Sequence, residues 1–164
     1  MGLLTPDRYY TNAEAIDLED LRSLGVTALL VDLDNTLLAR GTRDMSGALR
    51  DWIARVRAEG FALCIVSNNW HERVKAVAES LGIPLVSRAV KPLPRAFVRG
   101  MRLLGVTPAQ TAVVGDQIFT DVLGGNVVGA TTVLLDPLSS TDLPHTLLLR
   151  LIEARIMADR EPLA

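Results

Sequence analysis

The sequence predicts an α/β fold: a doubly wound, Rossmann-like parallel sheet of five strands with helices on both faces. Three observations carry the prediction. Short apolar runs rich in β-branched residues and leucine are continuous rather than alternating, as suits strands buried on both sides. Each run stops abruptly at polar residues. The stretches between runs are each long enough for one helix, and those helices end on glycine.

In order, the strands are Val26 to Leu33, Phe61 to Val66, a weaker Ile83 to Val86, Ala112 to Val114 and Thr131 to Leu135. The first helix runs from Ser46 to Glu59 and stops at Gly60; the second runs from Trp70 to Leu81 and stops at Gly82. The third opens at Pro94, a favourable first-turn residue, and stops at Gly105. The fourth, Gln117 to Val128, precedes Gly129, and Gly124 and Gly125 weaken it. A last helical segment, Asp142 to Asp159, carries Leu147, Leu148, Leu151, Ile152 and Ile156 on one broad face, expected to pack on the sheet, with subunit contact or membrane-surface docking as the alternatives. Its polar face mixes Arg150, Glu153 and Arg155, unlike the basic face of a membrane-lying helix. The chain is expected to be one domain: a lead over 1–25, a catalytic core over 26–136 and a C-terminal helix over 141–159.

Composition narrows the partners. With 49% hydrophobic and 22% charged residues in 164, the chain is globular and can bury a core. A net charge of −2 does not suit an electrostatic nucleic-acid binder, so no nucleic acid is expected. The lone Cys64 excludes an intrachain disulfide and suits a reduced, cytoplasmic setting. No apolar stretch reaches the roughly 18–20 residues of a membrane span, and no signal-peptide pattern opens the chain.

In doubly wound sheets ligands gather beyond the carboxyl ends of the strands. After the first strand stand Asp32 and Asp34, on one side of an extended segment, with Thr36 just beyond. Two carboxylates at the end of a buried strand are costly unless neutralised, although Asp also starts turns and caps helices. Ser67-Asn68-Asn69 follows the second strand and offers a hydroxyl and N–H groups to a phosphoryl group at a helix N-terminus, or an ordinary N-cap. Lys91-Pro92 stands at the next junction, in a chain whose seventeen basic residues include only two lysines, Lys75 and Lys91. Gly115-Asp116 leaves the fourth strand, and Asp121 reaches back from the helix that follows. Acid pair, hydroxyl, lysine and acid thus follow the strands in order.

As an ordered set, Asp32-x-Asp34-x-Thr36, Ser67, Lys91-Pro92 and Gly115-Asp116-x-x-x-x-Asp121 resemble the haloacid dehalogenase (HAD) superfamily of phosphatases, over residues 26–135. The stretches Asp32 to Leu37, Ser67 to Asn69 and Gly115 to Asn126 resemble its YqeG-type branch, subclass IIIA, some of whose relatives are mitochondrial phosphatidylglycerophosphate phosphatases. The resemblance implies an aspartyl-phosphate mechanism. Asp32 is the expected nucleophile and Asp34 the general acid and base. Ser67 and Lys91 are expected to hold the transferring oxygens, with Thr36 and Asn68 also at the substrate. The expected metal ligands are Asp32, the carbonyl of Asp34, and Asp116, with Asp121 behind them orienting Lys91 or the metal waters. Carboxylates about 4 Å apart repel by roughly 4 kcal/mol at an effective dielectric near 20. That crowding and the oxygen-only donors imply Mg²⁺.

Neither the Thr36–Ser67 nor the Ser67–Lys91 interval has room for the cap domain of larger members. An open site favours a bulky phosphorylated substrate, such as a lipid phosphate at a membrane surface, which would make the protein peripheral to the membrane. It equally admits a small metabolite enclosed by a neighbouring subunit of a homo-oligomer. Arg40 and Arg43 are candidate contacts to an anionic substrate. The rival from another class is a receiver-like phospho-accepting module without turnover.

Overall fold

A computed structural model describes residues 2–42, 44–139, 144–158 and 160–163, with backbone alone for 144–148 and 150. Its strands are β1 (Arg8–Tyr10), β2 (Ala28–Val31), β3 (Ala62–Val66), β4 (Leu85–Val86), β5 (Thr111–Gly115) and β6 (Thr131–Leu135). The helices are α1 (Leu18–Ser23), α2 (Gly47–Ala58), α3 (Glu72–Leu81), α4 (Pro94–Leu104), α5 (Leu123–Val128) and α6 (Pro144–Ile156). All pairings are parallel, in the order β1-β6-β5-β2-β3-β4.

The sheet therefore has six strands rather than the expected five. The extra one comes from the N-terminal lead, where three residues are too few to show a period; tertiary pairing makes the strand. Arg8, Tyr9 and Tyr10 run beside Val133, Leu134 and Leu135. Asp7 anchors the start, its Oδ2 accepting from the Thr132 N–H at 2.8 Å.

Side chains alternate across the sheet, so neighbours in sequence enter different cores. Leu29, Val31 and Leu33 pack with α2 and α3 through Leu49, Trp52, Ile53, Val74 and Val77. Leu30, Cys64, Val66 and Val113 pack with α4 through Phe97 and Met101 on the other face. Both layers are buried, which is why the strand sequences are apolar without a break.

Helix ends follow local chemistry. Ser46 caps α2 by accepting from the Leu49 N–H, and Gly82 and Gly105 close α3 and α4 at φ 60° and 68°. The expected helix over 117–128 is instead a π-helical turn (Ile118–Val122) running into α5. Its glycine has a packing reason: a Cβ on Gly124 would lie 2.3 Å from the Phe97 ring, so only glycine lets α5 rest on α4.

The last helix differs from its expected amphipathicity. Leu151 is 71% and Ile152 45% exposed, while Glu153 is 7% exposed. Leu149, Glu153 and Ile156, at i, i+4 and i+7, turn inward, and Ile156 packs by Ile118 and Leu134. The side chains of Leu147, Leu148 and Arg150, the helix ends at Asp142 and Asp159, and Arg43 lie outside the described residues. Among the described residues no helix is long and apolar enough to cross a membrane. The described connections around the site, 32–42 and 44–46 and then 67–71, are loops, with no inserted cap.

Candidate active site

The chain goes from β2 outward to β3 and β4, then crosses to β5 on the other side of β2. The crevice therefore opens between the carboxyl ends of β2 and β5. The Asp32 N–H donates to the Val114 carbonyl at 2.9 Å, carrying the ladder one residue past β2 and setting the Asp32 side chain beyond the sheet edge.

There it meets partners from three other segments. Lys91 Nζ lies 2.6 Å from Asp32 Oδ1 and 2.6 Å from Asp121 Oδ1. The Thr36 hydroxyl lies 3.3 Å from Asp32 Oδ2 and 3.2 Å from Asp116 Oδ1, so its single proton serves one carboxylate at a time. Carboxylate oxygens of Asp32, Asp116 and Asp121 all lie within 4.8 Å of one another, and all three residues are buried. Asp121 comes this close because residue 115 is glycine: a Cβ there would sit 2.1 Å from Asp121 Cγ. Gly115 thus leaves a vacancy that a carboxylate fills.

Electrostatics follows from this crowding. Burial pushes the Asp32 carboxyl up to about 7; Lys91 opposes the shift, and Asp121 and Asp116 add to it. Burial alone would lower the Lys91 ammonium, but Asp121 and Asp32 outweigh it and hold Lys91 above its usual range.

Lys91 is aimed by its backbone. Arg88 and Val90 just before it adopt left-handed φ values of 51° and 53°, and the Lys91 N–H donates to Asn68 Oδ1 at 2.8 Å. Asn68 thus positions Lys91, besides lining the cleft where a substrate would sit. Thr36, also expected at the substrate, is 2% exposed and bonds the carboxylates instead. Ser67 is buried at the cleft wall, its Oγ accepting from the Asn69 N–H at 3.1 Å.

Asp34 stands apart from the cluster. Its Oδ1 accepts from Arg73 of α3, whose other nitrogen donates to the Thr42 carbonyl at 2.7 Å, and its Oδ2 accepts from Asn69 Nδ2 at 3.3 Å. Arg73 went unnoticed in the sequence because an arginine in the first turn of an amphipathic helix has many ordinary uses. Glu153 was missed for a similar reason. Its Oε1 accepts from the N–H groups of Ile118 at 2.7 Å and Phe119 at 3.4 Å, steadying the turn that carries Asp116 and Asp121. An acid on a nominally polar helix face gives no signal of this.

These groups open on a cleft of about 450 Å³, lined by Asp32, Asp34, Ser67, Lys91, Arg40 and Trp70 among others. Residues 7–129 match the family model of haloacid dehalogenase-like hydrolases. The chain belongs to that family. Its sequence is 38% identical over 153 residues to the "probable phosphatase YqeG" of Bacillus subtilis, covering 93% of this chain and 89% of that one. It is 32% identical over 138 residues to phosphatidylglycerophosphate phosphatase 1 of Arabidopsis thaliana, covering 79% of this chain and 40% of that protein. The cobalt-bound deoxy-D-mannose-octulosonate 8-phosphate phosphatase of Haemophilus influenzae shares the fold at TM-score 0.54 and 17% identity, covering 82% of this chain and 89% of that one. Within the haloacid dehalogenase-like hydrolases this chain is a phosphatase.

Proposed function

We propose that this phosphatase hydrolyses phosphomonoesters through an aspartyl-phosphate on Asp32, with Mg²⁺ as its metal. The observation that carries the reading is the Asp32 carboxylate, fixed at the end of β2 between Lys91 and Thr36 and lining the cleft.

An Asp32 oxygen attacks phosphorus in line, and the bond to the leaving oxygen breaks. Asp34 gives that oxygen a proton, then takes one from the water that hydrolyses the acyl phosphate, releasing inorganic phosphate and restoring Asp32. To do so Asp34 exchanges Arg73 for the substrate, a change its place on the cleft rim permits. Lys91 and Ser67 face the transferring oxygens, and Asp121 holds Lys91 in place. The cluster fits a hard divalent cation: its carboxylate donors are all oxygen, and three of them converge. Asp32, Asp116 and the Asp34 carbonyl would hold Mg²⁺, which when bound supplies positive charge to the crowded carboxylates and the phosphoryl group.

The substrate proposed is a bulky phosphate ester, a lipid phosphate presented at a membrane. No cap segment stands over the cleft among the described residues, and Arg40 on its wall offers a cation to the rest of such a molecule. The experiment is hydrolysis of p-nitrophenyl phosphate with chelator and with Mg²⁺ restored, followed by a panel of phosphatidylglycerophosphate, sugar phosphates and nucleotides. Activity should vanish with chelator and return with Mg²⁺. Full activity in excess chelator sinks the metal assignment, and a sugar phosphate or nucleotide preferred by a monomer sinks the lipid one.

A further inference from the structure

The chain as a whole carries a net charge of −2, yet residues 80–115 contain no Asp or Glu and five cations: Arg88, Lys91, Arg95, Arg99 and Arg102. Lys91 is engaged in the cleft floor. The other four are exposed, and none has a carboxylate partner among the described residues. On α4, Arg95, Arg99 and Arg102 fall at i, i+4 and i+7 and form one stripe, while Ala96, Phe97, Gly100 and Met101 turn into the core.

Apolar side chains stand beside the head of this stripe. Val90 is 61%, Leu93 56% and Trp70 52% exposed. Val90 is held out by a left-handed φ that a β-branched residue adopts only at a cost. Val90 and Leu93 share a shallow groove with Arg88, Arg95 and Arg99. The patch continues to the cleft: the Arg88 guanidinium lies 5.4 Å from the centre of the Trp70 ring, and Trp70 lines the cleft.

We propose that Trp70, Arg88, Val90, Leu93, Arg95 and Arg99 form a docking surface for an anionic lipid bilayer, with the mouth of the cleft turned toward the headgroups. The mixture decides the occupant. Arginines gain from the negative surface potential of such a bilayer, and the interleaved Trp, Val and Leu can enter the headgroup region. A nucleic acid backbone would reward the arginines and leave Val90 and Leu93 in water. The inference deepens the reading of a membrane-presented phosphate, and rests on it only for the direction in which the cleft faces.

The test sediments the full chain with phosphatidylcholine vesicles, with vesicles containing phosphatidylglycerol, and with a DNA oligonucleotide as competitor. Binding should require the anionic lipid and weaken at high salt. The double variant Arg95→Glu/Arg99→Glu should bind about tenfold more weakly or worse. Both changes sit on the exposed face of α4, and the first suits a helix N-terminal turn. Leu93→Gln should weaken binding about fivefold while keeping the salt dependence. All variants should keep the hydrolysis of p-nitrophenyl phosphate and the thermal midpoint of the parent. Equal binding to neutral vesicles, no binding to either kind, a double variant bound like the parent, or displacement from vesicles by the oligonucleotide overturns the proposal. Vesicle binding by a protein without phosphatase activity would leave the docking surface standing and remove the catalytic reading; the reverse result removes only the surface.

Discussion

On the floor of the cleft, Lys91 holds two carboxylates with its own side chain 3% exposed; on the rim, Arg73 holds one, with both partners 12–13% exposed. The nucleophile candidate sits in the first setting and the acid–base candidate two residues away in the second. In the buried setting every charge depends on its neighbours, because burial limits the solvent that could compensate a lost partner. On the rim the two partners are somewhat more exposed and line or border the cleft, so solvent has more access to them than to Lys91. Under the proposed mechanism the difference would suit a floor that stays fixed and an acid that trades a guanidinium for a leaving group.

Changes on the floor should therefore be severe. Asp32→Asn should cut hydrolysis of p-nitrophenyl phosphate by about four orders of magnitude while the fold survives, as removal of a covalent nucleophile does. Steady-state kinetics and a thermal melt check both halves; activity within about tenfold of the parent removes Asp32 from that role. Lys91→Ala strands two buried carboxylates and should destabilise the metal-free protein by about 3–5 kcal/mol, read from urea unfolding. A loss no larger than that of a surface lysine would mean that the floor is wetter than its geometry indicates.

The pH dependence sharpens the same contrast. Burial raises the folded-state Asp32 carboxyl to about 7, whereas in the unfolded chain it titrates near 4. The folded protein binds that proton more tightly, so its contribution to stability is full below about pH 4 and is lost as pH rises through about 7. Metal-stripped protein should melt higher at about pH 5 than at about pH 8, and Asp32→Asn should flatten that slope. A slope unchanged in the variant would assign it to another group. On the rim, Arg73→Ala should cost about 2 kcal/mol of stability, less than Lys91→Ala because a single charged hydrogen bond to Asp34 is lost, and lower kcat on the order of tenfold by loosening Asp34. Arg73→Lys should restore part of kcat. A stability loss as large as that of Lys91→Ala would erase the distinction between floor and rim.

Most of the fold could be read in advance because its signals are local. Apolar runs that end in polar residues marked five strands, and Gly60, Gly82, Gly105 and Gly129 marked helix ends where each now has positive φ. The strand β1 could not be read, since Arg8–Tyr10 becomes a strand only by lying against β6. The burial of Glu153 was equally hidden, because its partners are N–H groups over thirty residues away.

The sequence by itself determined which chemical groups stand at the strand ends and in what order, because strand exits are set by local hydrophobicity and turn chemistry. Tertiary structure alone decided how those groups are partnered. Lys91 reaches Asp32 across 59 positions and Asp121 across 30, and Arg73 reaches Asp34 across 39. Such pairings depend on strand order, on the vacancy over Gly115 and on the direction each helix takes back across the sheet. Those are properties of packed elements rather than of any one segment, and they are what separates two aspartates only two residues apart, one onto a buried floor with Lys91 and one onto the rim with Arg73.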